Sequence, residues 1–308
     1  MKDRFGREVL GLRISVTERC NLRCFYCHKE GCQPTEDEIS AEEIGMIAAV
    51  ATSLGIKKFK LTGGEPLLRN DIAEIIRKIS QHKVDDLALT TNGVMLAQMA
   101  DELAESGLMR VNISLDTLDR EKFKRITGAD ALEDVLRGIK AAAEAGLKPV
   151  KINMVLLAGI NENEVEKMIS FAAEHDAVLQ LIELIDLNGR DFDVYHKCLE
   201  EIERKLESRA ISIQTRSSMH ARKRYLLPEG EVEVVRPMHN SEFCAHCTRL
   251  RLTSDGKLKP CLMRNDNLVD VRKFLSSQDV EEARSLFLQA IDKREPFFRA
   301  MPFTCSKS

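Results

Sequence analysis

Apolar and polar positions along the first part of the chain alternate between two patterns. Short runs rich in Ile, Leu, Val and Thr at residues 12–17, 57–62, 86–91, 109–116, 149–156 and 178–185 have the length and residue types of strands. Longer segments at 41–54, 71–80, 96–106, 132–145 and 164–175 repeat apolar residues at helical spacing and read as amphipathic helices. Six strand-then-helix units in succession need right-handed crossovers and a parallel sheet. The pattern therefore predicts an α/β fold of the open or partial (βα)6 barrel type, TIM-like but incomplete. After about Leu187 the alternation weakens: 192–209 reads as a helix, and 211–236 as short strands with turns around Pro228-Glu229-Gly230. A barrel over 1–187 followed by a C-terminal region over 188–308 is expected. The sequence has neither internal repeats nor low-complexity tracts.

Chemistry in such barrels gathers at the carboxyl ends of the strands, and the unusual residues of this chain fall there. A cysteine triplet, Cys20, Cys24 and Cys27, follows the first strand, and Gly63-Gly64-Glu65-Pro66 ends the second. Thr90-Thr91-Asn92-Gly93 ends the third, and Ser114 with Asp116 ends the fourth. All are expected on one rim.

Composition narrows the possibilities. Trp is absent and aromatics make up only 5%, so a core large enough for 308 residues must rest on Ile, Leu, Val, Ala and Met. A formal charge of −3 argues against a general nucleic-acid or anionic-membrane binder. The charge is unevenly spread: residues 216–264 hold ten Lys or Arg against five Asp or Glu, a local +5. Met1-Lys2-Asp3-Arg4 lacks the apolar core of a signal peptide, and no apolar run reaches bilayer-spanning length, so a cytoplasmic location is expected. Nine cysteines, odd in number and clustered, suit thiolates on metal better than a disulfide framework.

The Cys20-x3-Cys24-x2-Cys27 loop packs three sulfurs onto one face of a cube-shaped cluster and leaves a fourth corner open. Zinc with His28 as fourth ligand is the alternative on this motif alone. The spacing, Tyr26 before the third cysteine and the Gly63–Pro66 run resemble the radical S-adenosylmethionine enzymes, whose partial (βα)6 barrel also matches the six units. That resemblance implies a [4Fe-4S] cluster whose open iron chelates S-adenosylmethionine, with the cofactor carrying the hard step and the protein aiming it. A second triplet, Cys244, Cys247 and Cys261, has C-x2-C-x13-C spacing, and a zinc knuckle using His246 or His239 is its alternative. Arg249 and Arg251, at alternate positions of an extended segment, project to the same side and form a forked anion site suited to phosphate oxygens.

From Phe5-Gly6-Arg7 to Cys261-Leu262 the whole arrangement is similar to the GTP 3',8-cyclases of molybdenum cofactor biosynthesis. The resemblance implies two [4Fe-4S] clusters, the second presenting its open iron to the guanine of GTP. It places Arg13, Lys60, Thr90, Lys151, Arg249 and Arg251 on GTP, and Tyr26, Gly64, Ser114 and Ile185 on S-adenosylmethionine. Ile185 stands where Met is usual, and Lys60 where bacterial members often carry Arg, which keeps the charge without the bidentate fork. Its implied partners are GTP, an electron donor and, downstream, cyclic pyranopterin monophosphate synthase, with no nucleic acid and no membrane; a homodimer is compatible with it. Many members end in a Gly-Gly tail, whereas this sequence ends Thr304-Cys305-Ser306-Lys307-Ser308.

The sequence contains no G-x-x-x-x-G-K-[ST], so side chains must neutralise a triphosphate, and Arg13, Lys60, Lys151, Arg249 and Arg251 supply five positive charges. Cys32, Cys198 and Cys305 lack ligand spacing and read as buried or inert thiols. His175 and His196 receive no catalytic role, and Glu36-Asp37-Glu38 and Glu200-Glu201 read as helix-start or solvated charge. A radical enzyme acting on a peptide is the runner-up, and a non-catalytic metal scaffold the alternative from another class.

Overall fold

A computed structural model describes residues 1–31, 37–185, 192–217, 219–238, 240–277 and 279–297. Glu36, Cys32, His239, Cys305 and the end of the chain at 304–308 lie outside the described residues. Through the barrel the elements run β1 Gly11–Ser15, α1 Ala41–Ser53, β2 Lys58–Thr62, α2 Ile72–Ser80, β3 Asp86–Thr91, α3 Leu96–Glu105 and β4 Arg110–Ser114. They continue with α4 Arg120–Thr127, α5 Leu132–Glu144, β5 Val150–Leu156, α6 Val165–Glu174 and β6 Ala177–Glu183. β1 to β6 are neighbours in sequence order and all parallel. The six expected strands form, each with its ends within three residues of the sequence reading.

The helices form for local reasons and stay for packing. Ser40 and Glu43 cap α1 reciprocally, side chain to backbone N–H in both directions. α2 buries Ile72, Ile75, Ile76 and Ile79 on one face, each contributing roughly 1.5–3 kcal/mol of transfer free energy. α4 is absent from the sequence reading, although its signals are present. Asp119 accepts from the backbone of Glu121 and Lys122, and Gly128 ends the helix in the left-handed region at φ 72.

Beyond the barrel come α7 Phe192–Tyr195, α8 Glu200–Arg209, β7 Ser212–Arg216, β8 Arg222–Leu227, β9 Gly230–Val235 and α9 Ser241–Ala245. β10 Arg249–Leu252, β11 Lys257–Lys259, β12 Val269–Asp270, α10 Arg272–Ser277 and α11 Val280–Asp292 complete the described elements. The single helix expected over 192–209 is two. Between them His196 forms an antiparallel bridge to Leu157, the Ala158 amide donates to the Tyr195 carbonyl, and the His196 ring meets Glu183 at 3.0 Å. Tertiary hydrogen bonds break the helical ladder there. Cys198, read as an inert thiol, is disulfide-bonded.

The C-terminal strands extend the barrel sheet at both edges. The order is β12-β11-β10-β1-β2-β3-β4-β5-β6-β9-β8-β7, with β10 parallel to β1 and β9 parallel to β6. One large apolar core, from Val9 through Ile291, packs helices against the sheet. The inner face of the strands is different. Arg251, Arg13 and Lys60 are register partners on β10, β1 and β2, so their side chains leave the same face in one row. The branched apolar layers that fill a closed barrel are replaced here by charge around open space.

Candidate active site

Both cysteine triplets open onto one cavity of about 2310 Å³, measured with its mouth, and so does every residue assigned to them in sequence. Its lining includes Cys20, Cys24 and Cys27 on one side and Cys244, Cys247 and Cys261 on the other. Tyr26, Gly64, Ser114 and Ile185 lie in it, as do Arg13, Lys60, Thr90, Lys151, Arg249 and Arg251.

The first triplet sits in the loop after β1. Its shape depends on the two glycines that end β2. A Cβ on Gly63 would stand 2.2 Å from the Thr17 carbonyl oxygen, and one on Gly64 2.1 Å from that of Arg19. Only glycine lets this backbone pack against the approach to the cysteine loop. Glu65 then turns inward, accepting from Thr91 Oγ1 at 2.7 Å and the amides of Asn92 and Leu67 at 2.7 and 3.0 Å. Tyr26 donates from its hydroxyl to Asp116 Oδ2 at 2.5 Å, and the Val155 amide donates to Oδ1 at 2.8 Å. Burial still pushes the Asp116 carboxyl up to about 6.

None of the six cysteines of the two triplets forms a disulfide. The Leu22 amide donates to Cys20 Sγ and the Lys29 amide to Cys27 Sγ, both at 3.4 Å, so two sulfurs of the first triplet already receive the N–H donors that sulfur ligands of a cluster take. Among the described residues no three His, Cys, Asp or Glu side chains gather as a single metal ion requires. Burial raises the thiols of Cys20, Cys24 and Cys27, whereas Cys247 is lowered: burial opposes, but Arg294, Arg249 and Arg251 draw out the thiolate.

The five expected phosphate cations are not equivalent. Arg13 pairs with Glu30 and reaches Thr62 Oγ1 at 3.1 Å, while Arg251 Nη1 donates to the other Glu30 oxygen at 2.6 Å. Burial alone would raise the Glu30 carboxyl, but Arg13 and then Arg251 hold it well below the usual carboxylate range. Lys151 Nζ pairs with Glu233 at 2.7 Å, and burial lowers its pKa to about 8 despite that partner. Among the described residues Lys60 meets only Asn112 Oδ1, at 3.3 Å, and burial followed by Arg110 and Arg13 drives its pKa well down. The Arg249 side chain makes no hydrogen bond or ion pair among the described residues, and burial with Arg222, Arg13 and Arg251 lowers its pKa strongly. Two of the five therefore lack a carboxylate among the described residues.

Sequence reasoning missed Glu30, Glu233 and Arg222, all of which shape this charge balance. Glu30 follows Cys27 in a loop without periodicity. Glu233 and Arg222 lie on β9 and β8, which read in sequence only as short strands; the +5 of residues 216–264 was the available signal.

A parallel barrel with a cysteine loop after its first strand and a Gly-Gly-Glu turn after its second defines a protein of the Radical SAM superfamily, whose model matches residues 14–172, over half the chain. The model for Molybdenum Cofactor Synthesis C matches residues 177–299. The "Probable GTP 3',8-cyclase" of Methanothermobacter marburgensis is 50% identical over 301 residues, covering 97% of this chain and 99% of its own. Those of Pyrococcus abyssi and Methanocaldococcus jannaschii are 50% and 46% identical, over 96% and 97% of this chain and 99% of each relative. The chain belongs to the GTP 3',8-cyclase family.

Among solved structures, Streptococcus suis SuiB bound to precursor peptide SuiA matches with a TM-score of 0.65 at 18% identity, covering 83% of this chain and 60% of that one. Native anSMEcpe with bound AdoMet matches with a TM-score of 0.56 at 16% identity, covering 90% and 82%. These likenesses show the fold. Membership in the superfamily implies a [4Fe-4S] cluster and S-adenosylmethionine. No helix among the described residues is long and apolar enough to cross a membrane.

Proposed function

We propose that this protein is a GTP 3',8-cyclase that converts GTP to (8S)-3',8-cyclo-7,8-dihydroguanosine 5'-triphosphate, the first step of molybdenum cofactor biosynthesis. Residues 1–187 hold the first [4Fe-4S] cluster through Cys20, Cys24 and Cys27, and S-adenosylmethionine against Tyr26, Gly64, Ser114 and Ile185. Residues 188–308 hold a second [4Fe-4S] cluster through Cys244, Cys247 and Cys261, whose open corner takes the guanine. The observation that carries this reading is the common cavity onto which both triplets and the cation row open.

When bound, the first cluster and S-adenosylmethionine supply one-electron sulfonium cleavage and, through it, hydrogen removal at ribose C3'. The chain's own residues position the reactants. Arg13, Lys60, Thr90, Lys151, Arg249 and Arg251 fix the triphosphate, which sets the ribose between the two ends of the cavity. Glu30 keeps Arg13 and Arg251 in place before the substrate arrives. Tyr26 and Asp116 lock each other on the cofactor side, and the loop carrying Tyr26 packs on Ile126, Leu157 and Leu184, an apolar wall that limits water there. The protein works in the cytoplasm with an electron donor, and its product passes to cyclic pyranopterin monophosphate synthase; self-association as a homodimer is compatible with this role.

Anaerobic incubation of the iron- and sulfide-reconstituted protein with GTP, S-adenosylmethionine and a reductant is expected to yield 5'-deoxyadenosine and the cyclised nucleotide by mass spectrometry. Iron-loaded protein that makes neither would end the proposal.

A further inference from the structure

Arg222 is only 7% exposed, lines the cavity, and makes no side-chain hydrogen bond or ion pair among the described residues; its Nε is a buried donor with no partner. Glu233, whose charge acts on Arg222, is already taken by Lys151, Arg216 and Gln180. The guanidinium carbon lies 5.8 Å from the Phe243 ring centroid, at the outer limit of a cation–π contact. Such a contact is small beside the cost of burying an unpaired charge. Beside Arg222 stands Arg249, equally without a carboxylate, and Lys60 faces the same space.

The backbone holds Arg222 there at a cost. His220 and Ala221, immediately before it, are consecutive non-glycine residues in the left-handed region, at φ 66 and 52. They turn the chain from β7 into β8 and deliver Arg222 to the cavity, where the His220 ring stacks on Phe243 with centroids 4.0 Å apart. Strained backbone, a desolvated guanidinium and two more unneutralised cations make an incomplete ion cluster. An anion completes it.

We propose that Arg222 is a substrate-binding residue whose guanidinium takes a phosphate oxygen of the nucleotide's polyphosphate, alongside Arg249 and Lys60. The proposal rests on the cyclase reading. It assigns the first phosphate contact to charges that carry no carboxylate, rather than to Arg13 and Arg251, which hold Glu30.

The test is equilibrium binding to the anaerobically reconstituted protein and to Arg222→Met, with GTP, guanosine, inorganic tripolyphosphate and S-adenosylmethionine as probes. Arg222→Met is expected to weaken GTP and tripolyphosphate by roughly ten- to hundred-fold, the range for a hydrogen bond to a charged group. Guanosine and S-adenosylmethionine affinities are expected to stay parental. Parental GTP affinity in a variant that still binds S-adenosylmethionine overturns the assignment and leaves the cyclase reading intact. Failure of the parent protein itself to bind GTP sinks that reading and this one with it. Should Arg222→Met lose S-adenosylmethionine too, Arg222→Lys decides: it keeps the charge without the fork, and several-fold weaker GTP with unchanged S-adenosylmethionine is expected, parental GTP affinity being the contradiction.

Discussion

Glu30 and the cations around it show how single residues set the charge of the cavity. One carboxylate lies between Arg13 and Arg251, with Thr62 Oγ1 donating to it at 3.1 Å. Removing it with Glu30→Gln leaves two buried guanidiniums uncompensated and is expected to cost about 3–5 kcal/mol in chemical denaturation at neutral pH; a change below about 1 kcal/mol would contradict the network. Because the folded-state pKa of Glu30 is depressed, its stabilisation is present above the ordinary glutamate range and is lost as pH falls from there toward its lowered value. Lys151 titrates the other way. Its pKa is lowered to about 8 from 10.5, so the penalty of burying its charge is full below pH 8 and is relieved between 8 and 10.5, where the unfolded chain binds the extra proton. On the proposed binding mode the same deprotonation removes a phosphate partner. GTP affinity at fixed ionic strength is expected to fall above about pH 8, as Lys151 loses its proton, and the Lys151→Arg protein to keep its affinity to higher pH; a flat parental profile to about pH 9.5 would contradict this.

At the scale of elements, the strands of the barrel were legible because each is a short apolar run fed by a helix of clear periodicity. Cys20, Cys24, Cys27 and Gly64 could be grouped in sequence because the triplet follows one strand and the glycine pair ends the next, and the structure brings all four onto one cavity. α4 was passed over although Asp119 and Gly128 announce its ends, and the break between α7 and α8 was invisible because its cause, the bridge to Leu157, is distant in sequence. Glu30 had no periodic context at all. The Gly-Gly turn gives the sharpest test at this scale. Gly64→Ala puts a methyl 2.1 Å from where the Arg19 carbonyl oxygen lies, so the turn must move. It is expected to cost about 1–3 kcal/mol in thermal or chemical unfolding and to weaken S-adenosylmethionine binding. Parental values for both would mean that the turn does not shape the cofactor side.

The whole molecule is organised by a sheet whose two edges are finished by the same C-terminal region, which no periodicity along the chain foretold. β10 lies against β1 and carries Arg251 into the row begun by Arg13, with Arg249 two residues earlier on the same strand opposite Gly11, while β9 closes against β6 and brings Glu233 to Lys151. The chain's beginning secures the second triplet. Asp3 accepts from Arg7 Nε at 2.8 Å and from Arg294 Nη1 at 2.9 Å. Arg7 in turn donates to the Cys244 carbonyl at 3.1 Å, and Arg294 to that of Cys247 at 2.5 Å. Asp3→Ala removes the carboxylate that holds both arginines, and the reconstituted variant is expected to lose iron and sulfide from the second triplet while S-adenosylmethionine still binds at the first. Full iron retention would show that the cysteine loop stands without this brace.

The central claim is that the two cysteine ends share one space in which a nucleotide reaches the cofactor. Anaerobic turnover with GTP deuterated at ribose C3' tests it most directly. The account predicts 5'-deoxyadenosine carrying deuterium from that position in the parent protein, and unlabelled 5'-deoxyadenosine in Cys244→Ala. Unlabelled 5'-deoxyadenosine from the fully loaded parent would contradict it.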